Sequence, residues 1–279
     1  MKKFLISVAT IVLLVFVATI TVLVSCNGGN KKTAEEQAED VKSFEQEQIE
    51  AGIKVQLDSL ANLYASMDDS PVMVALKSGE ILLTDEEKQV KPDYLLAPEA
   101  TNDLVTLSQK YRAVGILSID EFVAESYDMS AEEMKAARSR MIVELNDPGF
   151  DVFIKESYTD STFAKVFEEF YNAEEEAGRI NFFWETVTAA FVEQIFILTQ
   201  NPDKYLAAFD DQKAADFTYR LILLQNGLEN LQEYAPEIEE LCNAIKPLEG
   251  LNAISVDQLR NQVTTLKQEI TDVRNGLLK

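Results

Sequence analysis

Apolar residues recur three and four positions apart along nearly the whole chain, the period of one face of an α-helix. From Ile49 onward, Ile53, Leu57, Leu60, Tyr64 and Met67 alternate spacings of four and three, a stripe that should end near Asp68-Asp69-Ser70-Pro71. Helices are predicted at about 99–114, 118–127 and 130–146, the last opened by a capping box, Ser130-Ala-Glu-Glu133. Asn146-Asp-Pro-Gly149 is the clearest break and a possible sub-boundary. Helices at about 150–156 and 161–177 follow it. Residues 71–98 are the least regular and read either as a short hairpin or as two small helices.

Ile180 to Leu198 is apolar at 13 of 19 positions and holds the single tryptophan, Trp184. A membrane span is the alternative to a core helix there. Glu185 and Glu193, with Asn181 and Gln194, cancel most of the insertion gain, because a mid-span carboxylate costs about 2.5–3.5 kcal/mol against roughly 0.3–0.6 gained per large apolar residue. A central buried helix is therefore expected. Further on, Phe217, Leu221, Leu224, Leu228, Leu231, Ala235, Ile238, Cys242 and Ile245 keep a heptad register, which Pro236 should kink or break. Val256, Leu259, Val263, Leu266, Ile270, Val273 and Leu277 repeat it. Such a seam packs at a shallow angle on a partner helix: either the segment 217–245, which offers a matching seam, or a second copy of the chain. The fold class expected is all-α: an elongated helical bundle over 34–279 with a heptad-patterned C-terminal pair.

The N-terminal segment is of another kind. Lys2 and Lys3 precede Phe4–Val24, a run without one charge, which reads as a targeting signal over 1–25. The run reaches the ~20 residues that span a bilayer. Its end, Leu23-Val24-Ser25-Cys26, resembles the lipobox of bacterial lipoproteins at each position. That resemblance implies cleavage before Cys26, a lipid on Cys26, and a polar tether over 26–33 leading into the charged helix that opens at Ala34. An anchor of two or more acyl chains holds firmly at about 0.8 kcal/mol per buried methylene. Asn27 stands where enterobacterial lipoproteins retained in the inner membrane carry aspartate, and Asn27–Lys32 lacks the acidic cluster of surface-exported Bacteroidota lipoproteins. The resemblance thus points to the outer membrane, facing the periplasm. The chain as a whole resembles uncharacterised helical lipoproteins of the Bacteroidota.

Acidic residues outnumber basic ones 48 to 25, for a net charge of −23. Nucleic acid is excluded as a partner, since its binding needs a positive surface. Of two cysteines, Cys26 is assigned to the anchor, and Cys242 falls in the apolar seam as a buried thiol. The chain has no histidine, which removes histidine-ligated zinc and the serine- and cysteine-histidine nucleophile systems. No cofactor and no metal site is expected: the acidic pairs Asp68-Asp69, Glu168-Glu169, Glu174-Glu175-Glu176 and Asp210-Asp211 lack calcium-loop spacing and read as caps and solvated faces.

Glu185 and Glu193, eight apart, share one side of an apolar helix and must be paired, hydrogen-bonded or protonated. Either they pair with Arg179 or Arg220, or they orient a ligand in a pocket between helices walled by Phe182, Trp184, Phe191 and Phe196. Asp58-Ser59-Leu60 and Asp160-Ser161-Thr162 look like the short O-glycosylation triplet of Bacteroidota envelope proteins, which makes Ser59 and Ser161 candidate acceptors. Three functions stay open: a non-enzymatic envelope protein that binds a partner protein or scaffolds an assembly, with oligomerisation through the heptads; a ligand-binding module; and, last, a carboxylate-dependent hydrolase.

Overall fold

A computed structural model describes residues 34–67, 70–81, 83–151 and 163–279, and most of the helical spacing there is realised as helix. The targeting signal, Cys26, the tether, Asp68-Asp69, most of the expected helix 150–156 and Ser161 lie outside the described residues. Two units are recognised, 1–49 and 50–279, and the second is the subject below. Among the described residues there are twelve α-helices, several short 3-10 turns and no strand.

Helix α1 (Ala34–Ala65) ends just short of the expected stop and buries Ile53, Leu57, Ala61 and Tyr64. Tyr64 stacks on Phe167 at 5.0 Å, and Tyr171 donates to Asp58 at 2.8 Å. The irregular stretch resolves into two small helices instead of a hairpin, α2 (Pro71–Ser78) and α3 (Asp85–Gln89). Local chemistry decides this. Pro71 opens α2, Gly79 ends it in the left-handed region at φ 72°, and Thr84 with Glu87 forms a capping box on α3.

Helix α4 (Leu107–Ser126) replaces the two helices expected at 99–114 and 118–127. Residues 98–101 form only a 3-10 turn, and Thr106 with Gln109 supplies the capping box that starts α4. Gly115 does not interrupt it. A Cβ there would collide with the Thr186 carbonyl and lie 3.1 Å from the Ala190 amide, so glycine is what lets α4 approach the central helix. Helix α5 (Glu132–Leu145) begins later than expected, and the Ser130–Glu133 capping box does not form. Asp128 turns the chain through φ 52°, which leaves Ala131 at the cap position and Ser130 only a 3.5 Å contact with the Glu132 amide.

Asn146, at φ 48°, ends α5 ahead of the Pro148–Phe150 turn. Helix α6 (Phe163–Glu176) leads through Gly178 to α7 (Ile180–Gln200), the central helix. α7 is the one described helix long and apolar enough to cross a membrane, and 83% of its apolar window is buried inside the protein. α8 (Pro202–Tyr205) follows, then α9 (Asp211–Tyr234), whose first turn is capped by Asp210. Pro236 breaks the helix, and the register resumes in α10 (Glu239–Ile245). The last heptads form α11 (Val256–Thr265) and α12 (Lys267–Gly276), separated at Leu266. Leu259, Val263, Ile270, Val273 and Leu277 are all buried within the chain. Their chief partner is α7: α12 packs mainly on it and α11 touches both α7 and α9. The expected seam on 217–245 is only a minor neighbour, because the more apolar α7 offers more surface to remove from water.

Candidate functional site

The two largest buried helices, α4 and α7, lie side by side and parallel. Arg112 meets Glu185 at an offset of 73 residues, and Asp120 meets Glu193 at the same offset. Each helix thus places two ionisable side chains eight residues, about two turns, apart on the contact face.

At one level, Glu185 Oε2 accepts from Arg112 Nε at 2.8 Å and Oε1 from Ser108 Oγ at 2.9 Å. Arg112 reaches on to Glu240 of α10 at 3.2 Å and to the Leu277 carbonyl at 3.5 Å. Burial pushes Glu185 above the ordinary carboxylate range, and the Arg112 charge opposes it. Two turns along, Arg274 of α12 donates to Glu193 Oε2 at 2.7 Å and to Oε1 at 3.3 Å, with its guanidinium 5.0 Å from the Phe196 ring. Asp120 Oδ2 accepts the Leu96 amide at 2.7 Å and lies 3.7 Å from Arg274 Nη2. One arginine therefore serves two buried carboxylates. Burial, and then the Glu193 charge, raise Asp120 well above the usual range. Burial raises Glu193 as well, against the charge and hydrogen bonds of Arg274, so a proton held at this site lies between Asp120 and Glu193, opposite Arg274. Beside them Tyr94, Tyr205 and Tyr127 join hydroxyls at 2.9 and 3.4 Å.

The spacing argument thus places Glu185 and Glu193 correctly on one buried face, but their partners are Arg112 and Arg274, not Arg179 or Arg220. Arg179 serves Asp147 and Glu174, and Arg220 lies over the Tyr64 ring at 5.7 Å. The four aromatic residues each meet a different neighbour. Phe182 stacks on Tyr111 at 4.3 Å, Trp184 presses its ring on Gly227 of α9, Phe191 meets Phe217 at 4.9 Å, and Phe196 meets Tyr94 at 6.2 Å. Phe196 also borders an open surface groove, together with Gln200, Thr264, Lys267, Gln268 and Thr271.

Ser59 is exposed on α1 and donates to the Val55 carbonyl at 2.7 Å. Cys242 is half-buried, its thiol directed at the Leu228 carbonyl at 3.6 Å and pushed up by burial. Among the acidic runs, Asp210 is a cap as expected, whereas Glu174 is wholly buried and not part of a solvated face. No group of three or more acidic or cysteine side chains suited to a metal ion occurs among the described residues. Sequence reasoning missed Arg112, Asp120 and Arg274. The first two carried a signal: they stand eight apart within an apolar segment, the same spacing as Glu185 and Glu193. In comparisons with protein-family models, curated proteins and solved structures, nothing matches the chain, so the functional argument rests on this geometry and on the lipobox resemblance.

Proposed function

We propose that this is a lipid-anchored protein of the cell envelope, held by a lipid on Cys26 at the periplasmic face of the outer membrane, that binds a partner protein or scaffolds an assembly without catalysis. The observation that carries the non-enzymatic part is that Glu185 and Glu193 are paired with Arg112 and Arg274 and buried between helices. Carboxylates held this way tie helices together; acid–base chemistry needs them at hydrogen-bonding reach of a substrate. A partner surface is supported at the end where α4 begins and α5 finishes. Lys110–Glu144 and Arg140–Asn102 contacts bring those termini together, and Val105, Leu107 and Val143 there are 84%, 53% and 76% exposed.

Photo-crosslinkers at Val105 and Val143 in native envelopes should each capture the same protein, and Val143→Asp should abolish capture from Val105. Capture of nothing specific at either position would count against the reading. The ligand-binding alternative, a module using Glu185, Glu193 and the aromatic residues of α7, has one observation in its favour, the groove beside Phe196. Thermal stabilisation by small amphiphiles that is lost in Lys267→Ala would support it.

A further inference from the structure

A second carboxylate pair, outside the α4–α7–α12 joint, sits under the Pro148–Phe150 turn. The side chains of Asp147 and Glu174 are both wholly out of solvent. Asp147 Oδ1 accepts the Gly149 amide at 2.8 Å and Arg179 Nη2 at 2.5 Å, while Oδ2 accepts the Tyr111 hydroxyl. Glu174 is served less well. Arg179 Nε lies 3.4 Å from Oε2, and no N–H or hydroxyl donor of the described residues makes a hydrogen bond to either oxygen. A Cβ on residue 149 would fall against Glu174 Oε1 and 3.2 Å from Asp147 Oδ1, so the two carboxyls lie beside one another at the turn, and a hydrogen bond between two carboxyls requires a proton on one of them.

The turn is built around this contact. A Cβ on residue 149 would collide with Glu174 Oε1, so the glycine lets the turn backbone close over the carboxyl. Phe150 packs on Phe170 at 5.0 Å and on Tyr111 at 5.4 Å beside it. Among the described residues, the charged or titratable groups facing Glu174 are Asp147 from the turn, Arg179 from the α6–α7 link and Tyr111 from α4. That makes two wholly buried carboxyls for one guanidinium, whose own side chain is 31% exposed.

We propose that Asp147 and Glu174 form a proton-operated latch: the proton they share locks the Pro148–Phe150 turn onto the end of α6, and its loss frees the turn. Burial first, then the hydrogen bond and charge of Asp147, push Glu174 up to about 8, with Arg179 opposing. The latch is closed in neutral and acid medium and opens as pH rises through that value. It stands independently of the export and partner-binding readings.

The test is hydrogen exchange on the full chain in detergent at pH 6 and pH 9, expressed as protection factors so that the intrinsic pH effect is removed. In the wild type, protection of the Gly149 and Phe150 amides should fall at least tenfold between the two pH values, while α7 amides keep theirs. Glu174→Gln, whose amide donates to Asp147 at every pH, should hold its protection at pH 9. Unchanged wild-type protection, or an equal loss in Glu174→Gln, would overturn the latch. If Glu174→Gln does not fold, Asp147→Asn, which donates from the other side, is judged by the same two outcomes.

Discussion

Arg274 grips Glu193 with Nε at 2.7 Å and Nη2 at 3.3 Å while the same Nη2 stands 3.7 Å from Asp120. One guanidinium thereby joins α4, α7 and α12. Removing one member of a buried pair leaves an uncompensated charge, at about 3–5 kcal/mol, whereas an apolar replacement of both is often neutral. Arg274→Met should lose stability on that scale in urea denaturation, and Arg274→Met with Glu193→Leu should recover most of it. A double variant as unstable as the single one would show that the pair does not act as a unit.

Asp120 should make stability depend on pH in a defined direction. Its folded-state value lies above that of the unfolded chain, so the stability tied to its proton is complete below the ordinary carboxylate range. That stability is lost as pH rises toward and through the folded value. Asp120→Asn still accepts the Leu96 amide and donates toward Glu193 without titrating. Its melting temperature, measured from pH 5 to pH 9, should gain on the wild type as pH rises. A constant gap between the two would assign Asp120 a packing role only.

Two glycines set how closely helices approach. A Cβ at Gly227 lies 2.5 Å from Trp184 Cζ3, so Gly227→Ala should cost about 1–3 kcal/mol by overpacking, and Trp184→Phe should relieve part of it. At Gly115 the obstacle is the α7 backbone at Thr186, which no side-chain replacement clears. Gly115→Ala should therefore destabilise more than Gly227→Ala and find no rescue at position 186. Chemical denaturation of Gly227→Ala, with and without Trp184→Phe, and of Gly115→Ala, with and without a smaller residue at 186, checks both statements.

The anchor is tested apart from the fold. Palmitate should label the wild type and not Cys26→Ala, and the variant should leave the membrane fraction. Equal labelling of both would dispose of the lipoprotein reading.

Much of the architecture is local physics and was legible in the residues. Period 3.6 marked α1, α6, α7 and the heptad helices, Pro236 marked a break, and the carboxylates of α7 argued for a core helix over a span. Local signals failed where a competing one was stronger. The Ser130–Glu133 cap lost to the left-handed turn at Asp128, and the gap expected between 114 and 118 closed into one helix whose Gly115 is a contact with α7.

By itself the sequence determined that the protein is helical, that α7 is a buried central helix, and that Glu185 and Glu193 share one side of it and need partners. Only the tertiary structure decided what those partners are. Arg112 and Arg274 lie 73 and 81 residues away along the chain, a distance over which spacing carries no information. The pairing follows from α4 packing parallel to α7, a contact that Gly115 permits, and from α12 returning across both.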